Sequence, residues 1–219
     1  MKSKLLGLII FFLISNSVFA ESDQTWSFEQ EKAGKLPPNW KVAETQGNGV
    51  NAIWEVDKND TNGPGKHVLA ITNNTNRGDM GNLLINENGV FKEVELSTRI
   101  KATTSGKSAG GGIIWRVVDE NHYYLAQWNA SSNSLRLYVY IGGKASLLES
   151  VSVEADSKAW HLLEVTHIEN AIEVLFDGEP KISVEDKQLD FKGNFGLRAG
   201  GDAMPAFDDI TLYSDEGEE

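Results

Sequence analysis

The chain has no cysteine. That excludes a disulfide framework, a thiolate metal site and acylation at a lipid-bearing thiol. It also lacks any long apolar run. The longest, from Leu5 to Ile14, is about half the 20 residues needed to cross a bilayer. No segment sustains apolar residues at i, i+3, i+4 long enough for a sizeable helix, so strands alternating with helices, and with them a parallel α/β fold, are excluded. Proline is scarce, with 5 in 219 residues, and basic residues are outnumbered 20 to 32 by acids. Such an acidic chain repels phosphate backbones, which argues against a nucleic-acid partner. Gly110-Gly111-Gly112 opens a strand pattern rather than a helix and is no phosphate-binding loop.

What is present begins with a leader. Lys2 and Lys4 precede the apolar run, and Val18-Phe19-Ala20 supplies small residues two apart, Val18 and Ala20, before Glu21. Charge, short apolar core and small-residue end are the three regions of a secretory signal. Cleavage is expected after Ala20, with export to the periplasm or beyond and no membrane span afterwards. Removing the two lysines leaves 18 basic against 32 acidic residues, a formal charge of −14. The remaining 199 residues are long enough for one disulfide-free core. The expected organisation is a signal peptide at 1–20, one domain at 21–213 and an acidic tail at 214–219.

Within that domain, short runs of β-branched and aromatic residues alternate with Gly, Asn, Asp and Ser. Strands are expected over 91–103, 111–118, 123–129, 135–141, 160–168, 172–176, 180–184, 194–199 and 206–213. Weaker ones precede them at 26–28, 53–56, 67–71 and 83–85. Turn signals stand at Ser131-Ser132-Asn133, Gly142-Gly143 and Asp177-Gly178. About a dozen short strands in one domain imply two packed antiparallel sheets, an all-β jelly roll.

Period-two alternation assigns faces. Val94, Leu96, Thr98 and Ile100 share one side, as do Leu135, Leu137, Val139 and Ile141. Placing Tyr124, Ala126 and Trp128 inward turns Tyr123, Gln127 and Asn129 outward. Consecutive strands of a meander are usually neighbours. One sheet surface is therefore expected to carry Arg99, Arg116, Tyr123, Gln127, Asn129, Arg136 and Tyr138. Rings that stack on the C–H faces of a pyranose, beside planar groups that bond its hydroxyls, suit a sugar. The bland alternative is a solvated face whose Arg and Tyr pair across strands.

The series Gly111-Gly112-Ile113-Ile114-Trp115-Arg116, Asn121-His122-Tyr123-Tyr124, Leu135-Arg136-Leu137-Tyr138, Ala159-Trp160-His161-Leu162, Phe176-Asp177-Gly178, Gly196-Leu197-Arg198 and Phe207-Asp208-Asp209-Ile210 resembles a known family in order and spacing. It is similar to exported bacterial domains of the concanavalin A-like lectin/glucanase superfamily, near the 3-keto-disaccharide hydrolase (laminin-G-like) domains. The chain departs from that pattern at Gln127, where those domains often carry Arg, and at Trp128, where they carry a small residue. The resemblance implies a jelly roll whose concave sheet faces carbohydrate. It also implies one structural Ca²⁺ joining the first and last strands, for which Glu29 and Asp208 are the candidate oxygen ligands.

Catalysis has less to rest on. Retaining hydrolases of this superfamily aim acids from Glu-x-Asp-x-(x)-Glu on one strand into the cleft. Glu93-Val94-Glu95 and Glu154-Ala155-Asp156 both lack the third acid. His161 and His167 share a strand, but six residues set them about 20 Å apart, too far to hold one ion. His122, in a turn beside the expected face, is the one candidate base. Three readings follow: a carbohydrate-binding jelly roll, a glycoside-processing enzyme on the same face, or a non-catalytic adhesion or scaffold module.

Overall fold

The computed structural model describes residues 24–58, 63–103 and 109–214; the expected leader at 1–20 and the tail beyond Ser214 lie outside them. Among the described residues, fifteen strands and one short 3₁₀ turn, Ala130–Ser132, account for the regular structure. The strands are β1 (Gln24–Trp26), β2 (Trp40–Thr45), β3 (Ile53–Lys58), β4 (His67–Asn73), β5 (Gly81–Phe91), β6 (Val94–Ala102), β7 (Gly110–Asp119) and β8 (His122–Asn129). There follow β9 (Ser134–Ile141), β10 (Lys144–Ser152), β11 (His161–Ile168), β12 (Ala171–Phe176), β13 (Glu179–Glu185), β14 (Gly193–Gly200) and β15 (Pro205–Tyr213). An eight-stranded sheet runs β13-β12-β11-β6-β15-β4-β3, with β1 also on β15; a seven-stranded sheet runs β10-β9-β8-β7-β14-β5-β2. All pairings are antiparallel. The expected all-β jelly roll is the observed one.

Alternation builds the core between the sheets. Leu96, Ile100, Val165 and Phe207 from one sheet meet Trp115, Tyr124, Trp128 and Leu137 from the other. Gly111 makes one of these contacts possible, since a Cβ there would stand 2.8 Å from the Phe207 ring. Tyr124, Ala126 and Trp128 point inward as expected, which leaves Tyr123, Gln127 and Asn129 on the outer side. Ile141, expected on the core line, is 42% exposed, because the strand ends there at the Gly142-Gly143 turn. Both glycines have positive φ (58° and 74°), the geometry of a two-residue hairpin loop. That hairpin leads into β10, an edge strand exposed along most of its length. Neither β10 nor β2 carries a clean apolar alternation, which is why neither is legible in the sequence.

Two arginines are not on the surface expected for them, Arg99 because its strand belongs to the other sheet and Arg116 because alternation fails there. Arg99 lies on β6, in the eight-stranded sheet, and pairs with Asp209 at 3.2 Å. Arg116 sits at a bulge in β7 where the register with β8 shifts and its φ is +47°. A bulge breaks the period of two. Its guanidinium is buried and donates to the carbonyls of Lys92, Leu189 and Glu169 at 2.8, 3.0 and 3.1 Å. It ties three segments together, and those charge-assisted bonds offset the cost of a left-handed backbone.

Next to it His167 is fully buried, and its Nδ1 accepts from the Trp115 indole at 2.9 Å. The proton therefore belongs on Nε2. Burial, aided by the Arg116 charge, lowers its pKa to about 4. The unfolded chain takes up that proton near pH 6.5, before the folded chain does. Stability is then full above pH 6.5 and declines as the pH falls towards 4, by about 3 kcal/mol for this group. Denaturant titrations across that window should show His167→Gln, which keeps an acceptor for Trp115, with a shallower slope than the parent chain. Equal slopes would refute the assignment.

Candidate functional site

The seven-stranded sheet does not lie flat. Thr45, at the end of β2, hydrogen-bonds the Tyr123 hydroxyl of β8 at 2.6 Å, although β5, β14 and β7 stand between those strands. On a flat sheet four strand spacings would separate them by about 19 Å. The sheet therefore rolls until its corners meet. Thr45 Oγ1 donates to the Glu120 carbonyl at 2.6 Å, so the Tyr123 hydroxyl must be the donor to Thr45. The Gln46 amide donates to the Gly143 carbonyl at 2.6 Å. The strand-edge residues 45–46, the β7–β8 turn and the β9–β10 turn form one clasp.

Rolling gives the sheet a second apolar cluster on its outer side, made by Leu83, Ile85, Ile114, Leu125, Tyr123 and Tyr140. Tyr123 and Tyr140 stack with ring centres 4.6 Å apart. The Arg198 guanidinium lies over the Tyr140 ring at 5.1 Å. Burial pushes both tyrosine hydroxyls above their ordinary pKa, and the charge on Arg198 opposes that shift.

Beside the cluster a groove of about 430 Å³ is open to solvent, lined on the sheet by Gln127, Asn129, Arg136, Tyr138, Tyr140 and Arg198, with Gln46, Asp79 and Lys144 at the rim. Gln127 and Arg136 are cross-strand partners. Four residues expected to share a face (Gln127, Asn129, Arg136 and Tyr138) thus meet in one groove. Asn129 also has a structural task, because its side-chain oxygen accepts from the amides of Ser131 and Ser132 at 3.0 and 3.1 Å. Tyr123 shares the face but is fully buried in the clasp. Arg99 and Arg116 stand elsewhere, as described above. In their stead the structure brings in Arg198, together with Tyr140, which shares the parity of Arg136 and Tyr138 on β9. A signal for Arg198 exists in the sequence: Asn194, Gly196, Arg198 and Gly200 alternate on one side of β14, and glycines flank the arginine.

His122 has both ring nitrogens engaged. Nδ1 meets the Asp119 carboxylate at 2.8 Å, and Nε2 accepts from the Gly142 amide at 3.1 Å. It joins the β7–β8 turn to the β9–β10 turn and shows no free nitrogen to act as a base. Asp79 is the one carboxylate among the described residues lining the groove, whereas a retaining glycosidase needs two about 5 Å apart.

The two candidate calcium ligands do converge. Glu29 accepts from the amides of Lys66 and His67 at 2.7 and 3.1 Å. Asp208 accepts from the Asp209 amide through Oδ1 at 2.8 Å, and its Oδ2 is buried without a partner. A Cβ on Gly65 would stand 2.1 Å from Glu29 Oε1 and 3.3 Å from Asp208 Oδ2, so both carboxylates face one point. Burial first, then the charges of Asp209 and Glu29, push the Asp208 carboxyl up to about 7. The orphaned oxygen and the opposed carboxylates fit a hard cation. No group of three or more His, Cys, Asp or Glu gathers among the described residues, so carbonyl and water oxygens would complete such a shell.

Comparison with known proteins places the fold. No family model and no curated sequence matches the chain. Among solved structures, it is similar to the carbohydrate-binding module CBM66 from Bacillus subtilis, with 18% identity over 80% of this chain and 96% of that one, at a TM-score of 0.63. It is similar to domain 4 of AbnA, a GH43 extracellular arabinanase from Geobacillus stearothermophilus, solved with arabinotriose (13% identity; 87% of this chain, 91% of that one; TM-score 0.55). The carbohydrate recognition domain of Emp47p is a third (14% identity; 86% and 93%; TM-score 0.54). The likeness is one of fold, an antiparallel β-sandwich jelly roll.

The clasp generates a prediction. A double-mutant cycle of Thr45→Val with Tyr123→Phe should give a coupling energy of about 1 kcal/mol in urea unfolding, the net worth of one buried hydrogen bond. Strict additivity of the two changes would show that the bond does not hold the roll.

Proposed function

We propose that this chain is a carbohydrate-binding jelly roll that receives an oligo- or polysaccharide in the groove of its rolled sheet. The observation that carries this reading is the convergence there of Tyr138 and Tyr140 with Gln127, Arg136 and Arg198. The Tyr138 ring supplies apolar area for a sugar ring, Tyr140 supports Arg198 from below, and the amide and guanidinium groups supply fixed donors to the sugar's hydroxyls and ring oxygen. The likeness in fold to a carbohydrate-binding module and to a carbohydrate recognition domain supports it. No second carboxylate accompanies Asp79 among the described lining residues, so nothing in the groove favours two-carboxylate hydrolysis over binding. Export by the leader at 1–20 agrees with this reading, since polysaccharides lie outside the cytoplasmic membrane. A glycan array tests the proposal. Tyr138→Ala and Gln127→Ala should each weaken binding about tenfold, the loss of roughly one stacking or hydrogen-bonding partner. Binding to no glycan, or binding indifferent to both changes, would overturn it.

We also propose that Glu29 and Asp208 hold a structural Ca²⁺, which would neutralise the opposed carboxylates and pin the segment after β1 to β15. Saturating calcium at about 100 times its Kd should add about 3 kcal/mol to stability, seen as a raised melting midpoint that EDTA reverses and Asp208→Asn abolishes. A midpoint unchanged by calcium and by EDTA removes the site.

A further inference from the structure

The groove holds a charged donor whose hydrogen bonding is incomplete. Arg198 is 3% exposed, yet its Nε has no hydrogen-bond partner. The guanidinium carbon lies 5.1 Å from the centre of the Tyr140 ring, a contact that places it before any ligand arrives. Two glycines keep space around it. A Cβ on Gly81 would stand 2.6 Å from Arg198 Nε, a collision. A Cβ on Gly200 would stand 3.7 Å from an Arg198 terminal nitrogen and 3.3 Å from the Gln127 amide nitrogen. The missing side chain at Gly200 thus leaves a gap between a guanidinium and an amide, both of them donors.

The charge of the lining points the same way. The whole chain carries a formal −12, yet Arg136, Lys144 and Arg198 line the groove against the single carboxylate of Asp79. A neutral sugar needs no such excess of cations. A planar anion does, because a guanidinium presents parallel N–H groups that match the two oxygens of a carboxylate.

We infer that the groove selects a sugar bearing a carboxylate, a uronate, whose acid group sits in the gap at Gly200 against Arg198 and the Gln127 amide. This deepens the carbohydrate reading above and depends on it. Tyr138 then offers its face to the ring, Tyr140 serves as the platform that holds Arg198, and Arg136 and Lys144 draw an anionic chain along the groove.

Calorimetry with the folded chain separates the two claims. The probes are oligomers of galacturonate, glucuronate, mannuronate and guluronate, each paired with its carboxyl-reduced counterpart, and a sulfated galactan oligomer. At least one uronate oligomer should bind about tenfold or more tightly than its reduced partner, and added salt should erode that preference. Arg198→Gln should abolish it, and Arg198→Lys, which keeps the charge but loses the fork, should recover only part. Should Arg198→Gln not fold, Gly200→Val fills the gap with the guanidinium in place and should abolish the preference in a chain of unchanged melting midpoint; a preference that survives there refutes the inference. Equal binding of uronate and reduced oligomers would overturn the uronate assignment and leave the carbohydrate reading standing. Tighter binding of the sulfated oligomer would overturn the carboxylate specifically. Failure of every glycan would overturn both.

Discussion

A hydrogen bond between Thr45 and Tyr123 joins residues that flat-sheet geometry would keep about 19 Å apart. The roll it marks is the constraint on which the candidate site depends. Bending the seven-stranded sheet onto itself hides Leu83, Ile85, Ile114 and Leu125, which would otherwise form an exposed apolar patch. The β8–β9 register stacks Tyr123 under Tyr140, and the bend brings Arg198 over that pair and leaves the groove beside it. The two larger apolar clusters among the described residues are therefore of different kinds. One lies between the sheets and supports the fold; the other lies within the curl of a single sheet and shapes the groove.

Two arginines of this sheet show how local backbone decides the use of a side chain. Arg116 sits at a bulge with positive φ, turns away from the groove and satisfies three carbonyls. Arg198 stays in register on β14, meets glycine spacing on either side and keeps Nε unpartnered. Both are almost wholly buried, so exposure alone does not separate them. What separates them is Nε, which Arg116 spends on the Lys92 carbonyl and Arg198, although bonded to Tyr123, leaves without a partner. Asp208 follows the same logic on the eight-stranded sheet, where one oxygen is bonded to the Asp209 amide and the other has no partner. Orphaned polar atoms in otherwise well-paired surroundings mark places that await another group.

Much of the architecture was legible in the sequence because burial on one face of a strand imposes a period of two. Leu135, Leu137 and Val139, or Leu96, Thr98 and Ile100, announce their strands and their inward direction. Turn chemistry marked Gly142-Gly143 and Asp177-Gly178 for the same kind of reason: adjacent positive φ values favour glycine and its small polar neighbours. Strands without a buried face were silent. β10 is an edge strand with both faces largely in water, so nothing in its composition distinguishes it from a loop. Part of the site was legible too. Gln127, Arg136 and Tyr138 share parity on adjacent strands joined by short turns, and adjacency follows from connection length.

Composition and periodicity alone thus determined the all-β sandwich and the inward and outward faces of β8 and β9, because those properties depend on residues near one another in the chain. They also made plain the absence of a three-acid hydrolase motif. Tertiary structure decided the rest. It separated Arg99 onto the other sheet, buried Arg116 through a bulge and spent Tyr123 on the clasp. It brought Arg198 and Tyr140 from strands 58 residues apart in the chain to one groove. Strand order, bulges and curl arise from contacts across the whole sheet, and no local pattern of residues encodes them.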